Sequence, residues 1–341
     1  MKFWELHSHC RAEPELLRRV ADNPEWAQFA DWFDQCDVLI AGCRRDILDL
    51  ELPDELCGHV LSHSKITYIV SADGWMRRGG SDLPGERITA LEAFNRYGGW
   101  LLEEVNELLY TLRSILEKDL EGTLSALADI GYRRVELAGT YGRSAAEFKS
   151  ILDKNHIKAP STHINIGDDL NKIIADAKVL GNRKLVHPYS NYATAAEWKA
   201  FVGRLEAAGK LARQAGFTLG YHNHDHEFRP VEGQRPWDLI VRGTTRRNVH
   251  LQIDLFWAVH GGEDPVRLVY ENYGRVLHYH VKDRTADGQM VDPGKGVIDF
   301  GKIFRRTWHE GIQEFIVEHD NPVDPLVTAK TGFDYLANLR F

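Results

Sequence analysis

Four polar side chains close four apolar runs in the C-terminal part of this 341-residue chain: His222 in FTLGYHNH, Asp254 in NVHLQID, His280 in VLHYH and Glu318 in EFIVE. Followed with a strand period of two, the pairs Gly220/His222, Gln252/Asp254, His278/His280 and Ile316/Glu318 each share a face. The second member of each pair is then the last inward-pointing residue of a buried strand. Two imidazoles and two carboxylates converging at one point form a donor set for a divalent cation. In an open site such a cation chelates adjacent oxygens of a hydroxy ketone, polarises the carbonyl and stabilises the enediolate left by proton abstraction. Two nitrogen donors favour manganese, zinc, cobalt or iron over magnesium, which prefers oxygen ligands and retained water. His224 competes with His222 for the strand-five position, because a bulge would re-aim the HNH triplet.

Proton transfer needs further groups. Glu136, His163 and Lys282 each stand at or just past a strand end and are the acid-base candidates, with Glu318 serving as both ligand and catalytic carboxylate. His187, Trp257 and Arg284 are the candidates for substrate contact; Trp257 lies in the loop after Asp254, where an indole can border a sugar. Gly294 and Gly296 flank Lys295 in a loop whose backbone N–H groups could hold phosphate, although so short a signal does not establish a phosphorylated substrate. His226, His250 and His278 read as hydrogen-bonded core histidines, and Tyr221, Phe256 and Tyr279 as packing aromatics.

These residues need a scaffold. Short apolar runs occur at Leu108–Thr111, Arg134–Ala138, Ser161–Ile164, Lys184–Pro188, Thr218–His222, His250–Asp254, Val276–Val281 and Phe315–Glu318. Segments of helical period separate them, such as Leu124, Leu127, Ala128 and Ile130, or Phe201, Leu205, Ala208 and Leu211, and helix ends fall on Gly131, Gly181, Gly216 and Gly311. Eight strands alternating with helices over 104–341 predict an α/β protein with a (β/α)8 TIM barrel, whose functional groups sit at the carboxyl ends of the strands. A doubly wound open sheet is the rival, but the chain has no glycine-rich dinucleotide fingerprint.

Residues 1–103 differ in character and are expected to form an acidic N-terminal α/β extension. They carry 11 Lys and Arg against 18 Asp and Glu, whereas 104–341 carry 31 against 32; the whole chain has a formal charge of -8. This acidity argues against nucleic acid as a partner. No run is long enough to span a bilayer, and MKFWELHSHC lacks the form of a signal peptide, so the expected location is cytoplasmic. Cys10, Cys36, Cys43 and Cys57 are irregularly spaced, without a CxxC pair, and read as buried thiols. The extension also shows helical stretches at Pro14–Ala21 and Trp26–Phe33 and strand-like runs at 37–42 and 66–70.

Over 108–341 the chain resembles the xylose-isomerase-like barrel superfamily, specifically the sugar phosphate isomerase/epimerase proteins. The carriers are LYTLR at 109–113, EGTLSALADIGYRRVELAG at 121–139, LGYHNHDHEF at 219–228, DLFWAVHGGEDP at 254–265, HVKDR at 280–284, GKGVIDF at 294–300 and IVEHD at 316–320. The resemblance implies a metal held at the ends of strands five to eight, commonly by Glu, Asp, His and Glu. Asp254, His280 and Glu318 match, and His222 departs from the usual glutamate. Relatives with two facing glutamates move protons on opposite faces of a sugar carbon, and here only Glu318 remains.

The expected function is a metal-dependent sugar isomerase or epimerase of carbohydrate metabolism, with a small-molecule sugar as partner and homo-oligomerisation left open. The alternatives are a lyase or hydratase on 3-keto sugars or inososes, and a non-catalytic sugar-binding subunit. Apurinic endonucleases share the barrel, but they need a basic DNA-facing surface.

Overall fold

The computed structural model describes residues 105–307, 311–339 and 341, together with the backbone of five strands nearer the amino terminus. The chain divides into two compact units, Met1–Gly99 and Trp100–Phe341. In the first, the strands Phe3–Glu5, Val38–Ala41, Thr67–Val70, Trp75–Gly79 and Ile88–Thr89 lie side by side in that order. The first three are parallel and the later pairings antiparallel. The apolar runs at 37–42 and 66–70 supply two of these strands. The helical stretches expected at Pro14–Ala21 and Trp26–Phe33, and the four cysteines, fall outside the described residues.

The second unit is a closed barrel of eight parallel strands. They are β1 (Asn106–Leu108), β2 (Arg134–Leu137), β3 (Lys158–His163), β4 (Lys184–His187), β5 (Thr218–His222), β6 (Val249–Asp254), β7 (Val276–Val281) and β8 (Glu314–Val317). Pairing of β8 with β1 closes the ring. The sequence places strand one too late, at Leu108–Thr111. Leu109–Leu112 instead curl into a turn, with Thr111 N donating to Leu108 O and Leu112 N to Leu109 O, both at 3.1 Å. A rule that seeks apolar strands rejects Asn106 and Glu107, yet both are buried in β1.

Strand alternation sorts the side chains. Leu137, Leu185, Leu219, Tyr221, Leu251, Ile253, Tyr279, Phe315 and Val317 point outward into one hydrophobic layer beneath the helices. The opposite face of the strands is unusually polar. Near the amino ends of the strands, Lys184 Nζ lies 2.8 Å from Glu314 Oε1, and Ser161 Oγ donates to Glu314 Oε2 at 3.4 Å. Pairing of this kind lets charge sit in a dry interior, where an isolated ion would be too costly.

Helix starts are set by side-chain caps. Ser144 with Glu147 and Thr194 with Glu197 form capping boxes for the helices Ala145–Lys154 and Ala195–Gln214. Asp169, Asp264 and Asp324 cap three others. Among the described residues no helix is long and apolar enough to cross a membrane.

Candidate metal and acid-base centre

His222 ends β5 and Asp254 ends β6; His280 lies one residue before the end of β7, and Glu318 follows β8 directly. One ligand atom from each lies within 4.8 Å of the others, and all four residues are buried. The group could hold a metal ion. His163, at the end of β3, forms a second such group with His222 and His280.

The hydrogen bonds fix how each imidazole faces this point. The Gln252 amide Nε2 donates to both Glu136 oxygens, at 3.1 and 3.0 Å. A carboxylate only accepts, so the amide oxygen must face the other way, toward His222 Nδ1 at 3.0 Å. His222 therefore carries its proton on Nδ1 and keeps a lone pair on Nε2, which lies 3.6 Å from Asp254 Oδ2. Burial holds the His222 imidazole neutral, well below its usual pKa, and the neighbouring His280 pushes the same way.

His280 is gripped at both nitrogens, Nε2 by Glu136 Oε1 at 2.8 Å and Nδ1 by Glu318 Oε2 at 2.5 Å. Burial opposes its charge, but these two carboxylates outweigh burial and raise it to about 9. Glu136 shows the reverse balance. Burial pushes its carboxyl up, and His163 and His280 more than offset that, holding it well below the usual carboxylate range. Asp254 Oδ1 accepts from Trp257 N at 2.9 Å, and its backbone N donates to Asn223 Oδ1 at 3.0 Å. Asp254 Oδ2 is buried and faces the Lys282 ammonium.

Lys282 completes the charge balance. Its Nζ lies 2.9 Å from Asp254 Oδ2, 2.8 Å from Glu318 Oε2 and 2.7 Å from Asp320 Oδ1. Burial works against the ammonium, but the three carboxylates carry its pKa far above the ordinary lysine value. These contacts hold it as a cation. Burial raises Asp254, whereas Lys282 and His280 overcome burial at Glu318 and hold that carboxyl low.

A cavity of about 660 Å³ opens onto the centre, walled in part by Tyr110, His163, Asn165, Asp168, Tyr189, His222, His224, Glu318, Asp320 and Asn321. His224 lines this cavity with its ring 5.0 Å from that of His222. Burial pushes His224 down to about 3. β5 runs unbulged to His222, so the ring that joins the four-residue group is His222.

Several expected roles change. Glu136 is fully buried, reaches His163 Nε2 at 2.9 Å, and backs two imidazoles without lining the cavity. His187 does not contact the cavity. It follows the inward-facing Val186, so alternation turns it outward against Phe201 and Tyr221, at ring distances of 5.3 and 6.1 Å. Its Nε2 meets Ser190 Oγ at 2.9 Å, and burial lowers its pKa to about 4. Arg284 belongs to a short antiparallel pairing of Asp283–Arg284 with Met290–Val291, and its Nε donates to Thr285 O. It too lies off the cavity wall. Trp257 meets the four-residue group through its backbone N–H on Asp254 Oδ1, while its indole lies 5.4 Å from the His224 ring and 5.9 Å from Lys282 Nζ.

Gln252 and Asp320 are not among the candidate residues the sequence singles out. The same i, i+2 register that selects Asp254 and Glu318 selects Gln252 one step before Asp254 and Asp320 one step past Glu318.

Residues 124–339 match the model of the xylose isomerase-like TIM barrel family. The rhizopine catabolism protein MocC of Rhizobium meliloti is 27% identical over 267 residues, which cover 64% of this chain and 81% of that protein. An inosose dehydratase of Geobacillus kaustophilus is 30% identical over 168 residues, 43% of this chain and about half (54%) of that protein. The solved structure of a sugar phosphate isomerase/epimerase from Parabacteroides distasonis superposes with a TM-score of 0.61 at 26% identity, covering 69% of this chain and 98% of that one. The match spans most of the barrel and agrees with its closed eight-stranded ring, and the chain belongs to the xylose isomerase-like TIM barrel family.

Proposed function

We propose that the barrel is a divalent-metal-dependent enzyme that removes the proton beside the carbonyl of a keto-sugar or keto-polyol, leading to isomerisation or epimerisation. The observation that carries this reading is the convergence of donor atoms from His222, Asp254, His280 and Glu318 within 4.8 Å of one another beside the cavity. The residues suit a metal. Both imidazoles have their outer nitrogen engaged, by Gln252 and by Glu136, which is how metal-binding histidines are usually oriented. Two carboxylates in the group, Asp254 and Glu318, suit a divalent ion, which would share them with the Lys282 ammonium 2.9 Å from Asp254 Oδ2. Bound there, the ion would polarise a substrate carbonyl as a Lewis acid.

The chain's own residues would manage the protons. His163 lines the cavity with the Glu136 carboxylate 2.9 Å behind its Nε2, an arrangement that orients the imidazole for proton transfer. Lys282 holds positive charge beside Glu318, where negative charge develops on the substrate oxygen as the proton leaves.

A second reading is elimination of a hydroxyl group. It is favoured by the absence of a second glutamate at the His222 position. The likeness to an inosose dehydratase points the same way.

Incubation of the manganese-loaded protein with ketoses and inososes in deuterium oxide should give α-proton exchange, with product analysis separating epimer from dehydration product. His163→Asn should slow that exchange by about 10²–10⁴-fold without unfolding the barrel. Exchange unaffected by this change would remove His163 from the reaction, and absence of exchange with every carbonyl substrate would overturn the proposal. Gln252→Leu should release the His222 tautomer and weaken zinc binding about 10–100-fold by calorimetric titration. An unchanged Kd would mean that His222 is not held through this amide.

A further inference from the structure

We infer that the substrate of this site is uncharged, a hydroxy ketone that carries no phosphate; the inference rests on the proton-abstraction reading and narrows its substrate class. The loop most suited to phosphate already holds an anion. The Asp283 carboxylate, 1% exposed, accepts from Gly294 N at 3.0 Å, Gly296 N at 2.9 Å, Ile298 N at 3.1 Å and Arg284 N at 2.8 Å. Four backbone donors converge on this side chain as they would on a phosphate oxygen. The glycines serve the same closure. A Cβ at Gly296 would come within 2.2 Å of Arg284 O and 2.3 Å of Asp283 Oδ1, so the backbone approaches its own carboxylate too closely for any other residue.

The cavity itself is acidic. Asp168, Glu318 and Asp320 line it, and among the described residues no lysine or arginine does. Lys282, just behind the wall, already faces three carboxylates. The rim cation Arg113 is stacked 3.9 Å above the Tyr110 ring and donates to Tyr110 O at 2.8 Å and Asn321 Oδ1 at 3.0 Å. Away from the metal-binding group, a phosphate dianion entering here would meet Asp168 and Asp320 with no lysine or arginine among the described wall residues to receive it. The side chains of Asn165, Asn321 and Tyr189 offer neutral donors and acceptors suited to the hydroxyl groups of a polyol.

Two measurements on the full chain test this. In the first, thermal unfolding of the metal-free protein is followed with inorganic phosphate and with fructose 6-phosphate. Neither should raise the midpoint, and stabilisation by either would overturn the inference. In the second, α-proton exchange by the manganese-loaded protein is compared for fructose and fructose 6-phosphate, and for xylulose and xylulose 5-phosphate. The phosphate ester should be disfavoured at least ~100-fold in kcat/KM within each pair that reacts. An ester that exchanges as fast as its parent sugar would also overturn it. If neither member of any pair exchanges while phosphate leaves the midpoint unmoved, the proposed reaction on these ketoses fails and the exclusion of phosphate stands.

Asp283→Ala supplies a positive arm. It empties the ring of backbone donors, so the midpoint should fall and be partly restored by inorganic phosphate. A folded variant that phosphate does not rescue would show that Asp283 is not standing in for an anion, and would remove that support. If the variant fails to fold, the wild-type measurements decide.

Discussion

Lys282→Met is expected to destabilise the metal-free barrel by about 3–5 kcal/mol, the cost of removing one partner from a buried ion cluster. The ammonium is fully buried and lies within 3 Å of Asp254, Glu318 and Asp320. A methionine fills a similar volume but leaves three carboxylates facing one another with only His280 as counter-charge. Urea unfolding in the presence of a chelator measures the loss. Saturating zinc or manganese should then shrink the deficit, because the variant's carboxylates no longer share their charge with an ammonium and the ion binds the folded state more tightly. Turnover should not return with stability, since methionine can neither donate a hydrogen bond nor carry positive charge. An unchanged urea midpoint in the chelated protein would mean that the cluster does not depend on this cation, and the charge balance described here would be wrong.

How far the centre is legible in the sequence follows from strand geometry. Period-two alternation needs only one correct anchor, and His222, Asp254, His280 and Glu318 all end or closely follow an apolar strand, so their shared face can be read directly. The same rule misleads at His187. A polar residue at a strand end looks functional, but its parity differs by one from that of Val186, and one residue of register separates the barrel interior from the helix-facing side. The sequence pattern misplaces strand one because its residues Asn106 and Glu107 are polar and buried, whereas Leu109, which looks more strand-like, belongs to a turn.

Partnerships across the barrel are less legible. The contact of Gln252 with Glu136 joins positions 116 residues apart, and no local pattern reports it. The Asp283 ring of donors is a related case. Its glycines are visible as a motif, but what occupies their N–H groups depends on a carboxylate 11 residues before Gly294 folding back onto the loop.

Glu318→Gln should separate the chemistry of the centre from its stability. The substitution keeps the shape of the side chain and removes its charge, so one anionic ligand is lost from the group of four and His280 Nδ1 loses its carboxylate acceptor. Turnover is expected to fall by about 10²–10⁴-fold, the range typical for loss of a positioned acid-base group, and metal affinity should fall with it. The fold should suffer less than in Lys282→Met. The buried ammonium keeps Asp254 and Asp320 as partners, whereas the lysine variant leaves three acids without their shared cation. Urea unfolding of the two variants side by side, with metal content measured on each, gives the comparison. A variant that unfolds as readily as Lys282→Met while still binding metal like the wild type would make Glu318 a structural counter-ion, and the ligand set would reduce to His222, Asp254 and His280, with His163 next in line through its place in the second histidine group.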